Sequence, residues 1–377
     1  MSDRLSDVSA AASSASRSRL ALFLPKLAGG GAERVTLNLA SGLLAETVEV
    51  DLVLASVDGP YVDDVPNGVR IVDLGGRRTM AALPALARYL RRERPDGLLA
   101  AMNHANVVAA WAATVARYRG PVLLAEHNEL APGSKSAWQR LFNIAMRVSY
   151  PRADGVVAVS HGVKRSLVAN AGVAPDRIEV IYNPVIDAER LHRDRPRPEA
   201  LPEDGPPVIV GVGRLTRQKN FANLVRAFAR LRARRDARLL ILGEGEDREA
   251  LTQLVRRERL EDDVSLPGFV PNPYDYLAHA DLFALSSDWE GLPTVVIEAL
   301  ALGTRVVSTD CPSGPREILA DGRYGALVPT GDAAALGDAI AEALDAPLPD
   351  VPAEWLDQFT VRTSARRYME AFGLPAR

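Results

Sequence analysis

Glu290 and Glu298 bracket the run Gly291-Leu292-Pro293-Thr294-Val295-Val296-Ile297, whose residue types suit an anion. Gly291 permits close approach of another backbone. Pro293 fits the first turn of a helix, where no amide hydrogen is needed. The amides of Leu292, Thr294 and Val295 would then emerge from a helix N-terminus, a ready site for phosphate. Glu298, one turn further in, can accept hydrogen bonds from two ribose hydroxyls. Glu290, on the loop ahead, is placed to accept them from a sugar. Standing alone, the pair reads as well as a capping acid and an exposed helix acid.

A second set lies upstream in Gly211-Val212-Gly213-Arg214-Leu215-Thr216-Arg217-Gln218-Lys219-Asn220. Arg214 offers a planar fork and Lys219 a point charge, two usual ways of holding a diphosphate. Arg217 fits a solvated turn, and two cations on a turn are by themselves a common surface feature. The chain has no Asp-x-Asp pair to bring a divalent ion to such a group. Two fixed cations would neutralise it instead, so no metal and no cofactor is expected. No His/Glu spacing suggests zinc, and His192 and His279 fit structural or surface roles.

Such groups act together only if strands and helices deliver them to one place. Short apolar runs alternate with helical patterns, which indicates α/β domains with parallel sheets covered on both faces. The first half has strand candidates at Leu20–Leu24, Val48–Ala55, Val69–Leu74, Gly97–Ala100, Val122–Ala125, Gly155–Val159 and Ile178–Tyr182. Helical patterns there include Thr79–Arg92 and Asn106–Arg117. Asp187–Pro207, with Pro196, Pro198, Pro202, Pro206 and Pro207, reads as a linker. A second run places strands at Val208–Val212, Leu239–Leu242, Val264–Leu266, Leu282–Leu285, Arg305–Ser308 and Ala326–Val328. Its helices fall at Asn220–Arg234, Arg248–Glu258, Thr294–Leu302 and Ala333–Leu344, and Ala353–Phe372 reads as a closing helix. The expected division is a disordered tail at 1–18, a first domain at 19–186 completed by a helix at 360–377, a linker at 187–207 and a second domain at 208–359. Ligands of open α/β sheets sit beyond the C-terminal strand ends, so two facing sheets form a central cleft for two substrates.

Composition narrows the partners. A chain of 377 residues suits two cores. Its net charge of −3 gives no case for nucleic acid. Residues 1–185 hold 21 Lys/Arg against 17 Asp/Glu, a mild excess that suits an anionic partner on that side. Cys311 is the single cysteine, which excludes an internal disulfide and fits a reducing cytoplasm. Met1–Ser18 lacks an apolar signal core, and no run offers the roughly 20 apolar residues of a membrane span. The chain is expected to be soluble, or peripheral at the inner face of the plasma membrane. Lys135–Arg152 and Thr79–Arg92 are basic and amphipathic, which fits an anionic membrane surface or simply a solvated helix face.

Four motifs now fall in order: Gly-Gly-Ala-Glu-Arg at Gly30–Arg34, the Arg214/Lys219 loop, Glu290-x7-Glu298, and Asp310-Cys-Pro-Ser-Gly-Pro-Arg-Glu317. From Arg19 onward the chain resembles the retaining glycosyltransferases of family four, and the ordered set is far more specific than any one motif. The resemblance implies the GT-B fold, two Rossmann-like domains facing a cleft. It implies that Arg214 and Lys219 clamp a donor diphosphate, Glu298 binds ribose and Glu290 holds the donor sugar near its 3- and 4-hydroxyls. Gly213, Gly291, Leu292, Pro293 and Thr294 would line the same donor pocket. Gly243, Glu244, Phe269 and Val270 match positions that hold the base. Gly30 and Gly31 would face the donor phosphate, and Gly29 the acceptor, although three glycines after a strand can also be a tight turn.

His104 sits at the cleft edge after the strand Gly97–Ala100. In similar enzymes a histidine here touches the donor sugar and its developing oxocarbenium centre; a polar helix cap is the plain alternative. Glu126 and His127 follow Val122–Ala125, also at the cleft edge, where an acceptor contact fits. Ser160, ahead of His161, reads as an N-cap. The Asp310–Glu317 run resembles the subgroup that builds bacterial surface polysaccharides and lipid-linked oligosaccharides, often from UDP-sugars. Metal-independent transfer of a hexose or N-acetylhexosamine follows, from a nucleotide sugar (UDP favoured) to a glycan, polyprenyl-diphosphate-linked or other small acceptor. Front-face attack is favoured, because no carboxylate better than Glu290 is offered for two displacements. Competing readings are a nucleotide-sugar 2-epimerase on the same fold and a non-catalytic nucleotide-sugar-binding partner protein.

Overall fold

The computed structural model describes residues 17–76, 78–129, 137–187, 191, 194–201 and 203–375. Lys135, His192 and most of the 1–18 tail fall outside these. Two all-parallel sheets, of seven and six strands, carry the fold. The first holds β1 (Arg19–Leu24), β2 (Glu49–Leu54), β3 (Arg70–Asp73), β4 (Gly97–Ala101), β5 (Val122–Glu126), β6 (Gly155–Ala158) and β7 (Ile178–Val180), in the order 3-2-1-4-5-6-7. The second holds β8 (Val208–Val212), β9 (Arg238–Leu242), β10 (Val264–Gly268), β11 (Leu282–Leu285), β12 (Arg305–Thr309) and β13 (Ala326–Val328), in the order 10-9-8-11-12-13. Counted from its own first strand, each sheet begins 3-2-1-4-5-6. The order reverses beside β1 and again beside β8, and a crevice opens at such a switch point.

Helices on both faces explain why β4, β5 and β11 are buried along their whole length. One side of the first sheet packs Leu22, Leu24, Leu39 and Leu43 together, and the second domain packs Ile209, Phe228, Leu239 and Ile340 in the same way. Truncating such a residue to alanine costs about 2–5 kcal/mol.

The closing segment departs from its single-helix pattern. It forms two helices, Ala353–Asp357 and Val361–Ala371, with Phe359 fully buried between them. The Phe359 carbonyl accepts from Val185 N at 2.9 Å and Ile186 N at 3.0 Å. Thr360 Oγ1 accepts from Thr363 N at 3.2 Å and starts the second helix. That cap and the two backbone bonds override the apolar periodicity. The last helix lies on Gly31–Ala45, where a Cβ on Gly42 would stand 2.9 Å from Ala365, and Arg366 Nε donates to Glu46 Oε1 at 2.9 Å. The chain end therefore packs on the first sheet. Among the described residues no helix is long and apolar enough to cross a membrane.

Candidate functional site

Loops from the C-terminal ends of β8, β9 and β11 meet on the second domain. Gly213 (φ +155) and Gly243 (φ +147) let the first two touch: a side chain on Gly243 would collide with the Gly213 carbonyl. Leu215 N donates to Glu244 O at 2.8 Å, tying the β8 loop to the β9 loop. The β8 loop is also stitched to the β11 loop. Gln218 Nε2 donates to Trp289 O at 2.9 Å, Asn220 Nδ2 to Asp288 Oδ1 at 2.8 Å, and Ser286 Oγ to Lys219 O at 2.8 Å.

At the centre of this seam Lys219 Nζ donates to Glu290 Oε1 at 2.6 Å, and Ser287 Oγ donates to the same oxygen at 2.6 Å. Lys219 and Glu290 are only 18% and 8% exposed, so neither is a simple surface charge. Removing one partner of a buried pair strands the other and costs about 3–5 kcal/mol. Lys219 and Glu290, far apart in sequence, are joined by the fold. An ammonium has three donors, so Lys219 can hold Glu290 and still reach an oxyanion. Arg214, in contrast, is exposed.

Gly291 and Leu292 are buried as the chain turns into the helix Thr294–Ala301, with extended Pro293 as its N-cap. The first amides of that helix have no partner within it. Glu298 lies one turn in, and Tyr274 Oη donates to its Oε1 at 3.2 Å. Gly243 N donates to Gly268 O at 2.8 Å, setting the end of β10 beside the β9 loop. Phe269, 54% exposed, and half-buried Val270 follow it. The Glu244 carboxylate pairs with Arg248 at 2.8 Å, leaving its backbone to the turn.

Across the cleft Gly29 turns at φ +87, and Gly30 is the N-cap of Gly31–Ala45. Open space surrounds Gly31, whereas Gly30 lies against the Glu33 carboxylate. The helix expected at Asn106 begins at Asn103, with Met102 (φ +83) as its N-cap. His104 is therefore inside the first turn and does not cap. Its ring meets Phe142 edge-on at 4.6 Å, and partial burial lowers its pKa below the ordinary 6.5.

Glu126 requires a correction. It is wholly enclosed, and Asn106 Nδ2 (2.8 Å) and the Tyr150 hydroxyl donate to its Oε1. Burial pushes its pKa up to about 7, against the opposing pull of those donors. A sealed carboxylate cannot touch an acceptor; it braces the end of β5 instead. His127 is half-buried with Nδ1 enclosed, and burial lowers its pKa to about 4, so its ring is neutral. Its carbonyl packs directly on Gly291, and Asn128 forms an antiparallel bridge with Gly291. Ser160 caps Val163 N at 3.1 Å, as its position implied, and also donates to Gly291 O at 2.9 Å. No sequence motif marks Tyr274 or Ser287, because each donates to a carboxylate, Glu298 or Glu290, from a separate segment or turn.

Comparison with known proteins names this arrangement. Residues 29–189 match the family model Glycosyltransferase Family 4, and residues 192–356 match Glycosyl transferases group 1. The N-acetylgalactosamine-N,N'-diacetylbacillosaminyl-diphospho-undecaprenol 4-alpha-N-acetylgalactosaminyltransferase of Campylobacter jejuni is 34% identical over 325 residues, covering 82% of this chain and 86% of that protein. The lipopolysaccharide core biosynthesis glycosyltransferase LpsE of Rhizobium meliloti is 30% identical over 320 residues, covering 83% and 85%. Anabaena HepE, crystallised with UDP and glucose, superposes with a TM-score of 0.77 at 21% identity, covering 95% of this chain and 100% of that one. The last likeness speaks to the fold alone. With 34% identity spread over most of both chains and a matching two-sheet architecture, this chain belongs to glycosyltransferase family 4 and is a glycosyltransferase of the GT-B fold.

Proposed function

We propose that the enzyme moves a hexose or N-acetylhexosamine from a UDP-sugar, with retention, to a glycan or polyprenyl-diphosphate-linked acceptor. The observation that carries this reading is the 2.6 Å Lys219–Glu290 contact, which brings the cationic β8 loop against the segment that opens the helix at Thr294. Arg214, Lys219 and the helix amides would neutralise the departing diphosphate, and Glu298 would accept the ribose hydroxyls. Glu290 Oε1 already accepts two hydrogen bonds, which suits a carboxylate that holds sugar hydroxyls better than one that attacks carbon. The departing phosphate would then take the acceptor proton in a front-face step, with Gly29–Gly31, His104 and His127 lining the opposite wall. Support for the donor comes from HepE, which was crystallised with UDP and glucose, and for the acceptor from the diphospho-undecaprenol in the Campylobacter relative's name.

The domain limits of the sequence reading, 19–186 with the last helix and 208–359, are adopted in this proposal. A cytoplasmic, membrane-peripheral site of action is part of it too. The helix Ala137–Ser149 leaves Leu141, Ile144 and Val148 exposed, and residues 130–175 contain one acid, Asp154, against six Lys/Arg. An apolar stripe beside an excess of cations fits an anionic lipid surface. The test is a panel of UDP- and GDP-sugars with polyprenyl-diphosphate-linked acceptors in EDTA, with NMR of the product anomer. Acceptor-dependent release of UDP and a retained anomer are expected. Conversion of donor into free UDP and an altered sugar without acceptor would favour the epimerase and overturn the proposal. Vesicle binding should require anionic lipid and weaken with salt.

A further inference from the structure

Among the contacts that join the acceptor domain to the phosphate-binding end of the donor domain, one carboxylate caps a helix across the cleft. Glu317 follows β12, in the short helix Pro315–Ile318. Its Oε2 accepts from His161 N and its Oε1 from Gly162 N, both at 2.8 Å. Tyr182 Oη adds a third donor to Oε2 at 3.3 Å. His161 and Gly162 begin the helix His161–Ser166 of the first domain, and their amides have no partner within it. Ser160 caps the next amide, Val163 N. Half of this cap therefore belongs to the helix's own domain, and the other half is supplied from across the cleft.

The intervening residues leave no slack. A Cβ on Gly162 would overlap the Ser313 side chain and stand 2.7 Å from Ser313 Cα. Gly314, at φ +95, lies so close to Pro293 that a Cβ there would overlap the proline ring and approach Gly291 O to 3.0 Å. Ser313 and Gly314 thus form a spacer between the first-domain helix tip and the Gly291–Pro293 turn. That same turn accepts from Ser160 Oγ and bridges Asn128. Glu290, whose carboxylate meets Lys219, immediately precedes it.

We infer that Glu317 is a positioning residue for sugar transfer: it latches the acceptor domain onto the turn that carries the diphosphate-binding helix and so sets the register of the two substrates. Without the latch, His161 N and Gly162 N turn to solvent and the domains part, while the donor pocket itself stays intact. The inference rests on the donor site proposed above being where transfer occurs.

Full-length Glu317→Ala and Glu317→Gln test it, with donor KM, kcat, UDP affinity and an interdomain distance measured by spin labels at exposed Val115 and Glu258. Glu317→Ala should lower kcat at least tenfold, keep the UDP Kd within twofold and lengthen the interdomain distance. Glu317→Gln, with one accepting oxygen, should fall between it and wild type. Gly162→Ala pries the same contact from the other side and should lengthen the distance even if Glu317→Ala fails to fold. An unchanged distance in the folded variants, kcat within twofold of wild type, or UDP affinity falling in parallel with kcat would overturn the inference. The distance needs no substrate, so an error in donor identity would appear as an inactive wild type with the latch still measurable.

Discussion

Two acids at strand ends, Glu290 after β11 and Glu126 at the end of β5, look alike in sequence and differ completely in place. Glu290 shares an oxygen between an ammonium and a hydroxyl beside the cleft, whereas Glu126 is sealed beneath the surface by Tyr150 and Asn106. Burial in an apolar setting drives Glu126 toward the neutral acid, and its hydroxyl and amide donors oppose that only in part. The partner, more than the position on the strand, separates a group that can meet a ligand from one that braces a wall.

Replacing each acid should sharpen this contrast, and the largest effect belongs to the Lys219–Glu290 pair. Lys219→Ala should lower turnover by about 100- to 1000-fold through loss of charge stabilisation, with the fold retained by circular dichroism. Full turnover in a folded variant would remove the pair from the chemistry. Glu298→Ala should weaken UDP binding by about 10- to 100-fold, the worth of charge-assisted hydrogen bonds, in isothermal titration. Tyr274→Phe removes one hydroxyl donor to Glu298 and should cost about threefold in the same measurement.

Glu126→Gln should leave kcat within about threefold and instead change stability with pH. The folded protein keeps the Glu126 proton up to about pH 7, whereas an ordinary carboxyl releases it near 4.5. The folded state therefore binds more protons between these values, and stability falls as pH rises through that window. The glutamine variant cannot ionise, so its advantage over wild type should grow from pH 5 to pH 8 in thermal unfolding. Parallel curves would show that Glu126 is already charged in the fold.

Much of the fold was legible because parallel strands buried on both faces read as apolar runs. All thirteen strand candidates appear, with ends moved by a residue or two. The β8 and β11 loops proposed to hold the donor stood out as motifs too, since glycines and charges cluster in each short segment. Contacts between segments distant in sequence left no trace. Glu317 meets His161, Tyr274 meets Glu298, and Glu126 turns inward onto Tyr150, each across a gap that only the folded chain closes. Thr360, capping a new helix inside an apparently continuous pattern, was hidden for a different reason: a local hydrogen bond outweighed periodicity.

The central claim is that Arg214, Lys219 and the helix tip at Thr294 act on one diphosphate. Comparing the affinities of UDP and uridine in EDTA, in wild type and in an Arg214→Ala/Lys219→Ala variant, tests it most directly. UDP should bind far more tightly than uridine without divalent ions, and the double variant should abolish most of that difference while uridine binding persists. A UDP preference that needs added metal, or survives in the double variant, would contradict the account.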